Sequence, residues 1–402
     1  MFSAAPVLIA GGGPVGMIAA LALTRQGLDV EVFEAEQGVN DNPRAATTHA
    51  ATLELLDALG LVDEVIHRGL IEPKFRVWDR AKRELIAEFD FGILKHDTRY
   101  PFVVQCEQHK LANIVLGRLR QSHRARIHFS SRLVGFEQVG GRIEADFATP
   151  SGTRRIRGSW LIGCDGGRST VRKALDIAFE GYTHPERFLI LTTPYSFDAI
   201  YAQCSRNYFA DAEEWCALFK VSGDDGKGLW RLLFPTCPDE TDAQALEDQA
   251  VQRRLQNFFP KAGDYPVIHR NIYNVHQRVA AAFRKGRVFL AGDAAHVNNP
   301  LGGLGLNFGI HDAAELADLL GRVTRREAPD ESLDDYDRRR RPLNIEYVQQ
   351  QTIANKKRLE ERDPQMRERN NAALRAIAAN PAAHRAYLLR ASLLDSVRKA
   401  GS

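Results

Sequence analysis

Three stretches of this chain share one pattern, in which a short apolar run ends at glycine or a Gly-Asp pair and hands over to helical spacing. Residues 7–10 run into Gly11-Gly12-Gly13-Pro14-Val15-Gly16, and the spacing then predicts a helix through Leu23. Residues 160–163 run into Cys164-Asp165-Gly166-Gly167-Arg168-Ser169, with a helix start at the serine. Residues 288–291 deliver Gly292-Asp293 to a strand's carboxyl end. A loop with Pro300, Gly302, Gly303 and Gly305 follows, and a helix begins near Leu306 and Asn307, with Ile310, Ala313, Leu316 and Leu320 on its apolar side. Strand then helix, repeated, predicts a parallel sheet that places ligands at the strands' carboxyl ends.

Elsewhere the period is two. Residues 75–79 and 85–91 predict a hairpin around a charged turn, and 102–105 lead into a helix at about 110–120. An amphipathic helix over 52–60 closes at Gly60, and strands at 127–129, 133–138 and 143–148 form a meander ending in 160–163. From about residue 181 to 275 strands are expected at 188–193, 207–210, 215–221, 229–234 and 267–275, interrupted by a helix at 243–259. With the hairpin, they predict one antiparallel sheet inserted into the parallel unit. Trp215, Ala217, Phe219 and Val221 then share one face, as do Trp230, Leu232 and Phe234. Tyr201, Arg206, Tyr208, Phe219 and Phe234 are the candidate pocket residues of that sheet, the plain alternative being core. Beyond Pro342 the chain reads as polar helices.

The first stretch carries GxGxxG in the context it needs. Gly11, Gly13 and Gly16 let a pyrophosphate approach a helix N-terminus, and Glu34, 18 residues beyond Gly16, stands near the spacing of roughly 20 at which an acid binds ribose hydroxyls. That motif alone does not separate FAD from NAD. The Gly292-Asp293 stretch does, because its carboxylate can accept from a polyol while Gly305, Leu306 and Asn307 offer a helix start beside a developing anion.

These residues resemble single-component flavin hydroxylases of the para-hydroxybenzoate hydroxylase type over roughly residues 5–345. The resemblance implies an α/β fold: a Rossmann-like FAD-binding domain (1–72, 106–180, 278–341), an inserted, mostly antiparallel substrate sheet (73–105, 181–277) and a C-terminal helical segment (342–402). It implies flavin contacts for Arg44 and Gln105, a place for Asp165 facing both FAD and the nicotinamide nucleotide, and a reaction-site carbonyl for Pro300. The implied reaction is hydroxylation of a phenolic or other electron-rich ring by O2 through a flavin C4a-hydroperoxide, with NADH or NADPH as transient electron donor. His49 and His296 read as structural residues.

Composition narrows the class. A net charge of +3 argues against nucleic acid, and no apolar run approaches a membrane span. The start, MFSAAPVLIAGGG, lacks a basic region and is expected to hold no signal peptide. Five cysteines without a CxxC suit the cytoplasm and offer no metal site, and a homodimer is left open. Two rivals remain. A flavin halogenase would carry WxWxIP, where this chain has Leu229-Trp230-Arg231-Leu232-Leu233-Phe234-Pro235. A flavin-binding interaction protein would use its basic C-terminal helices and turn over no aromatic.

Overall fold

The computed structural model describes residues 5–201 and 204–400, apart from the side chains of 200 and 201. A six-stranded sheet lies at its centre. Val288–Leu290, Trp160–Gly163, Val7–Ala10, Val30–Phe33 and Ala125–His128 run parallel in that spatial order, and Arg284–Lys285 adds an antiparallel edge. Every residue of the first four is buried, which is why they read as unbroken apolar runs: helices cover both faces of a parallel sheet. The helix Pro14–Arg25 packs against Gly305–Thr324 and Gln108–Arg120.

A second sheet has eight strands, ordered His296–Val297, His269–Ala280, Phe179–Thr193, Leu229–Pro235, Cys216–Val221, Arg206–Ala210, Lys74–Asp79 and Glu84–Asp90. It is antiparallel except where Arg206–Ala210 pairs in parallel with Lys74–Asp79. Its edge strand His296–Val297 belongs to the loop after Gly292-Asp293, so the two sheets meet at the stretch the sequence marked. One face packs under the helix Asp248–Phe258 through Leu189, Trp230, Leu232 and Phe234. The other packs Phe188, Trp215, Ala217 and Leu233 towards Leu301 and Leu359.

The predicted meander is different in detail. Ala125–His128 joins the parallel sheet, while Arg132–Val139 and Arg142–Thr149 pair with Gly152–Gly158, a strand not expected, in a separate three-stranded sheet. Gly152–Gly158 is almost wholly exposed and charged, so it lacks the apolar alternation by which strands are found. The C-terminal segment is helical as expected, with a π-helical turn over Ile345–Gln349 just after Pro342.

Candidate active site

At the end of Val7–Ala10 the backbone must turn hard. Gly11 has φ +103°, and a Cβ there would sit 2.3 Å from the Cys164 carbonyl oxygen; at Gly16 it would sit 2.0 Å from that of Gly11. Nothing lies within 4 Å of a Cβ built at Gly13, so this edge of the turn is open. No side chain caps the helix that begins at Pro14, which leaves its first N–H groups for an anion. Glu34 accepts from Gly12 N at 2.6 Å and Glu36 N at 2.9 Å, which places its carboxylate beside the turn with lone pairs to spare.

Gly292-Asp293 is held from behind. Gly292, at φ +59°, donates its N–H to Asp312 Oδ2 at 3.1 Å, and His296 Nε2 meets the same oxygen at 2.7 Å. Arg340 Nε donates to Asp312 Oδ1 at 2.7 Å, and its guanidinium stacks 3.8 Å from the Phe308 ring centre. Burial opposes ionisation of Asp312, but Arg340 and His296 outweigh it and hold the carboxyl below its usual range. Gly309 lets the helix Gly305–Thr324 close on this turn, since a Cβ there would lie 2.9 Å from Gly292 Cα. Asp293 itself faces outward. Protein surrounding it on its other sides raises its pKa by desolvation, an effect tempered by the open face, and no described residue donates a hydrogen bond to its carboxylate.

The loop that follows is braced by amides. Gln277 Oε1 accepts from Asn299 N and Nδ2, both at 3.1 Å, and Gln277 Nε2 donates to Gln349 Oε1 at 2.6 Å and Thr352 Oγ1 at 3.0 Å. Gln349 lies in the π-turn, a deviation that often marks functional sites, and here it fixes the loop carrying Pro300. The Pro300 carbonyl accepts from Gly303 N at 2.9 Å.

The remaining expected residues fall into two groups. Gln105 is fully buried; its Oε1 accepts from Thr47 Oγ1 at 3.0 Å while its Nε2 has no partner. Arg44 is exposed, its carbonyl accepts from Arg231 Nη1 at 3.1 Å, and its charge partly offsets the desolvation that raises the Asp293 pKa. Asp165 and Asn307 instead spend their side chains on the protein. Asp165 accepts from Ser169 Oγ and Thr170 N at 2.6 Å and from Val171 N at 3.1 Å, fixing the start of Thr170–Ala174. Asn307 accepts from His49 N at 2.8 Å and donates to the Thr47 and Gly303 carbonyls. Helix Gly305–Thr324 starts at Gly305 with no side-chain cap, which leaves the N–H groups of Gly305 and Leu306 as backbone donors.

Beside the Pro300 loop lies a narrow cavity of about 50 Å³. Phe75, Val77, Phe91 and Leu301 give it apolar walls, and Arg206, Tyr208 and His49 give it polar ones. The C-terminal helices add Gln351, Asn355, Arg358 and Tyr387, which sequence reasoning passed over. Of the five pocket candidates, Arg206 and Tyr208 line it. Phe219 shares their face of the sheet but stands outside the lining. Phe234 corrects the expectation: it points to the far face, fully buried against Phe258, because strand parity puts it with Trp230 and Leu232. The Tyr201 side chain lies outside the described residues. His49 Nε2 meets the Gly302 carbonyl at 2.8 Å, and burial, reinforced by the Arg206 charge, pushes its pKa down to about 3.

An open glycine turn at a helix N-terminus, a free carboxylate at a strand tip and a buried amide N–H without an acceptor suit a dinucleotide with a polyol arm, which is FAD. Comparison with known proteins agrees. The family profile described as the FAD binding domain matches residues 4–351. The chain belongs to this FAD-binding family. It is an FAD-dependent aromatic monooxygenase, drawing electrons from NAD(P)H. Para-nitrophenol 4-monooxygenase of Pseudomonas sp. (strain WBC-3) is 35% identical over 399 residues, 98% of this chain and 96% of the relative. The 6-hydroxy-3-succinoylpyridine 3-monooxygenase HspB of Pseudomonas putida (strain DSM 28022 / S16) is 32% identical over 363 residues, 89% of this chain and 90% of the relative. The crystal structure of p-nitrophenol 4-monooxygenase PnpA from Pseudomonas putida DLL-E4 superposes with a TM-score of 0.91 at 33% identity, over 98% of this chain and 99% of that one. Nothing in these likenesses favours a halogenase. No helix among the described residues is long and apolar enough to cross a membrane, and none of their acidic, histidine and cysteine groups gather into a metal site.

Proposed function

We propose that the chain is a phenol 4-monooxygenase acting, with O2 and NADH or NADPH, on a phenol substituted at the para position. One observation carries this reading: Leu301 and Gly302, in the loop leading from Gly292-Asp293, form a wall of the apolar cavity, so a ring bound there lies next to the flavin site. The 4-position follows the likeness to para-nitrophenol 4-monooxygenase. FAD, when bound, supplies the activation of O2 and the transfer of one oxygen atom to the ring.

The protein's part is binding, orientation and exclusion of water. Asp293 takes the polyol hydroxyls and Gln105 Nε2 donates to the same cofactor. The uncapped N–H groups at Gly305 and Leu306 stabilise negative charge on the reduced ring. Gly11, Gly13 and Gly16 receive the pyrophosphate, and Glu34 the ribose. Arg44 stands at the opening, anchored by Arg231, where it can follow the ring. Asp165 serves by shaping the turn. Phe75, Phe91 and Leu301 keep water from the reacting ring. The domain division is proposed as the parallel-sheet unit (1–72, 106–180, 278–341), the inserted sheet (73–105, 181–277) and the C-terminal helices (342–402). All five cysteines are free, which supports a cytoplasmic location.

The test is the rate of NADH and NADPH oxidation by the purified yellow protein, with and without a panel of para-substituted phenols. One of them is expected to accelerate oxidation and to leave as a product that has gained one oxygen atom. Nucleotide oxidation that no phenol accelerates would overturn the reading.

A further inference from the structure

His49 is 1% exposed and forms part of the wall of the cavity beside the Pro300 loop. One contact fixes the state of its ring. Nε2 lies 2.8 Å from the Gly302 carbonyl oxygen, which can only accept, so Nε2 carries the proton and Nδ1 of the neutral ring is left as a bare acceptor. The ring stays neutral because burial, and after it the Arg206 charge, lowers its pKa to about 3. Nδ1 is buried, and no described residue donates to it.

Unpaired ring nitrogens also occur at His109, His184, His269 and His296, but none of these residues lines the cavity. Place is what sets His49 apart. The lining holds a second acceptor of the same kind: Gln351 Oε1, on the helix Gln350–Leu359, is buried without a partner among the described residues. Water serves such an acceptor only until a ligand fills the space. A ring that displaces water and brings no donor leaves a buried lone pair unmatched, which weakens binding by about fivefold or more, whereas a ring carrying O–H or N–H at that point avoids the loss.

The reaction indicates which group of the ring meets Nδ1. In 4-hydroxylation the attacked carbon bears the para substituent, and Leu301 and Gly302 are the wall that the cavity shares with the flavin side. His49 is bonded to that same Gly302.

We infer that His49 sets the substrate specificity: its Nδ1 accepts a hydrogen bond from the para substituent, so the cavity prefers a phenol whose para group is a donor, hydroxyl or amino, over one whose para group is apolar or only accepts. This rests on the reading of the cavity as the site of a para-substituted phenol, and it names the chemistry of the substituent. His49 recognises that group and takes no proton from it.

Two pairs of rings matched in size separate donor from non-donor: 4-aminophenol against 4-methylphenol, and hydroquinone against 4-fluorophenol. Each is titrated without oxygen or nucleotide into oxidised FAD-loaded enzyme, and the change in flavin absorbance gives its dissociation constant. The donor of each pair is expected to bind about tenfold more tightly. His49→Gln keeps an amide N–H for the Gly302 carbonyl and removes the acceptor at Nδ1, and is expected to bring the members of each pair within about twofold of one another. Flavin content reports whether the variant is folded, and the wild-type comparison decides without it. Equal affinities within the pairs overturn the inference while leaving the cavity as the ring site. A preference that survives in His49→Gln, as it would if the imidazole only braced the loop, also overturns it. Binding of none of the four rings up to millimolar concentration overturns both the inference and the reading on which it rests.

Discussion

The two sides of the Pro300 loop are built by opposite rules. Behind it, polar groups are paired with each other: Asp312 serves Gly292, His296 and Arg340, and Gln277 serves Asn299, Gln349 and Thr352. In front of it, polar groups lack partners: the Asp293 carboxylate, Gln105 Nε2, and the free N–H groups of Arg206 and Arg358. Both sides hold buried charge, and a folded chain tolerates buried charge only when it is matched. The rear is matched within the protein and the front is completed by ligands.

The rear should fail by unfolding. Asp312→Ala leaves the buried Arg340 cation with only its longer contact to Glu315 at 3.6 Å, and should cost about 3 kcal/mol in denaturant unfolding of the apoprotein. A much smaller loss would show that the network is not a unit.

Acid should act on buried histidines that stay neutral. Burial is the first cause lowering both His49 and His311 to about 3, so the unfolded chain takes up protons near pH 6.5 that the folded chain refuses. The stability they contribute is therefore complete above pH 6.5 and lost as pH falls towards 3, by up to about 1.4 kcal/mol per pH unit for each. The slope of unfolding free energy against pH between 6.5 and 4 measures it, and His311→Gln should make that slope shallower.

Close packing should show next. Gly309→Ala forces the helix away from the Gly292 turn and should cost about 1–3 kcal/mol as an overpacking substitution, against the gain in helix propensity. Thermal melting with and without FAD checks it, and bound FAD should also weaken because the turn moves.

The smallest of these effects is at Gln105. Gln105→Leu removes one amide that the protein itself half uses, and should weaken FAD by about 1 kcal/mol, roughly fivefold in dissociation constant, with the fold intact. Fluorescence titration of apoprotein with FAD reads it.

Much of the front was legible in the sequence because its signals are local. GGGPVG after a buried strand and Gly292-Asp293 before a helix are each contained within a few residues, and the structure brings the two turns together through Val15, 3.0 Å from a Cβ built at Gly292. The rear was not legible. Asp312 and Arg340 stand 28 positions apart, and Gln277 and Gln349 72 apart, so nothing in the local pattern links them. Phe219 and Phe234 look alike in sequence, and only strand parity and the covering helix Asp248–Phe258 send them to opposite faces. The C-terminal helices read as polar and solvated, yet Asn355, Arg358 and Tyr387 close the cavity, because a polar residue is apolar along most of its stem and can wall a pocket.

The contrast between front and rear stands or falls at Asp293, the free carboxylate next to Gly292, whose N–H Asp312 holds. The measurement is the FAD dissociation constant of Asp293→Ala, made alongside the melting temperature of its apoprotein. The account predicts FAD bound about 10- to 100-fold more weakly, the loss of one or two charge-assisted hydrogen bonds, with the apoprotein melting as the wild type does. An Asp293→Ala protein that purifies with full flavin, or whose apoprotein is destabilised like Asp312→Ala, would contradict it.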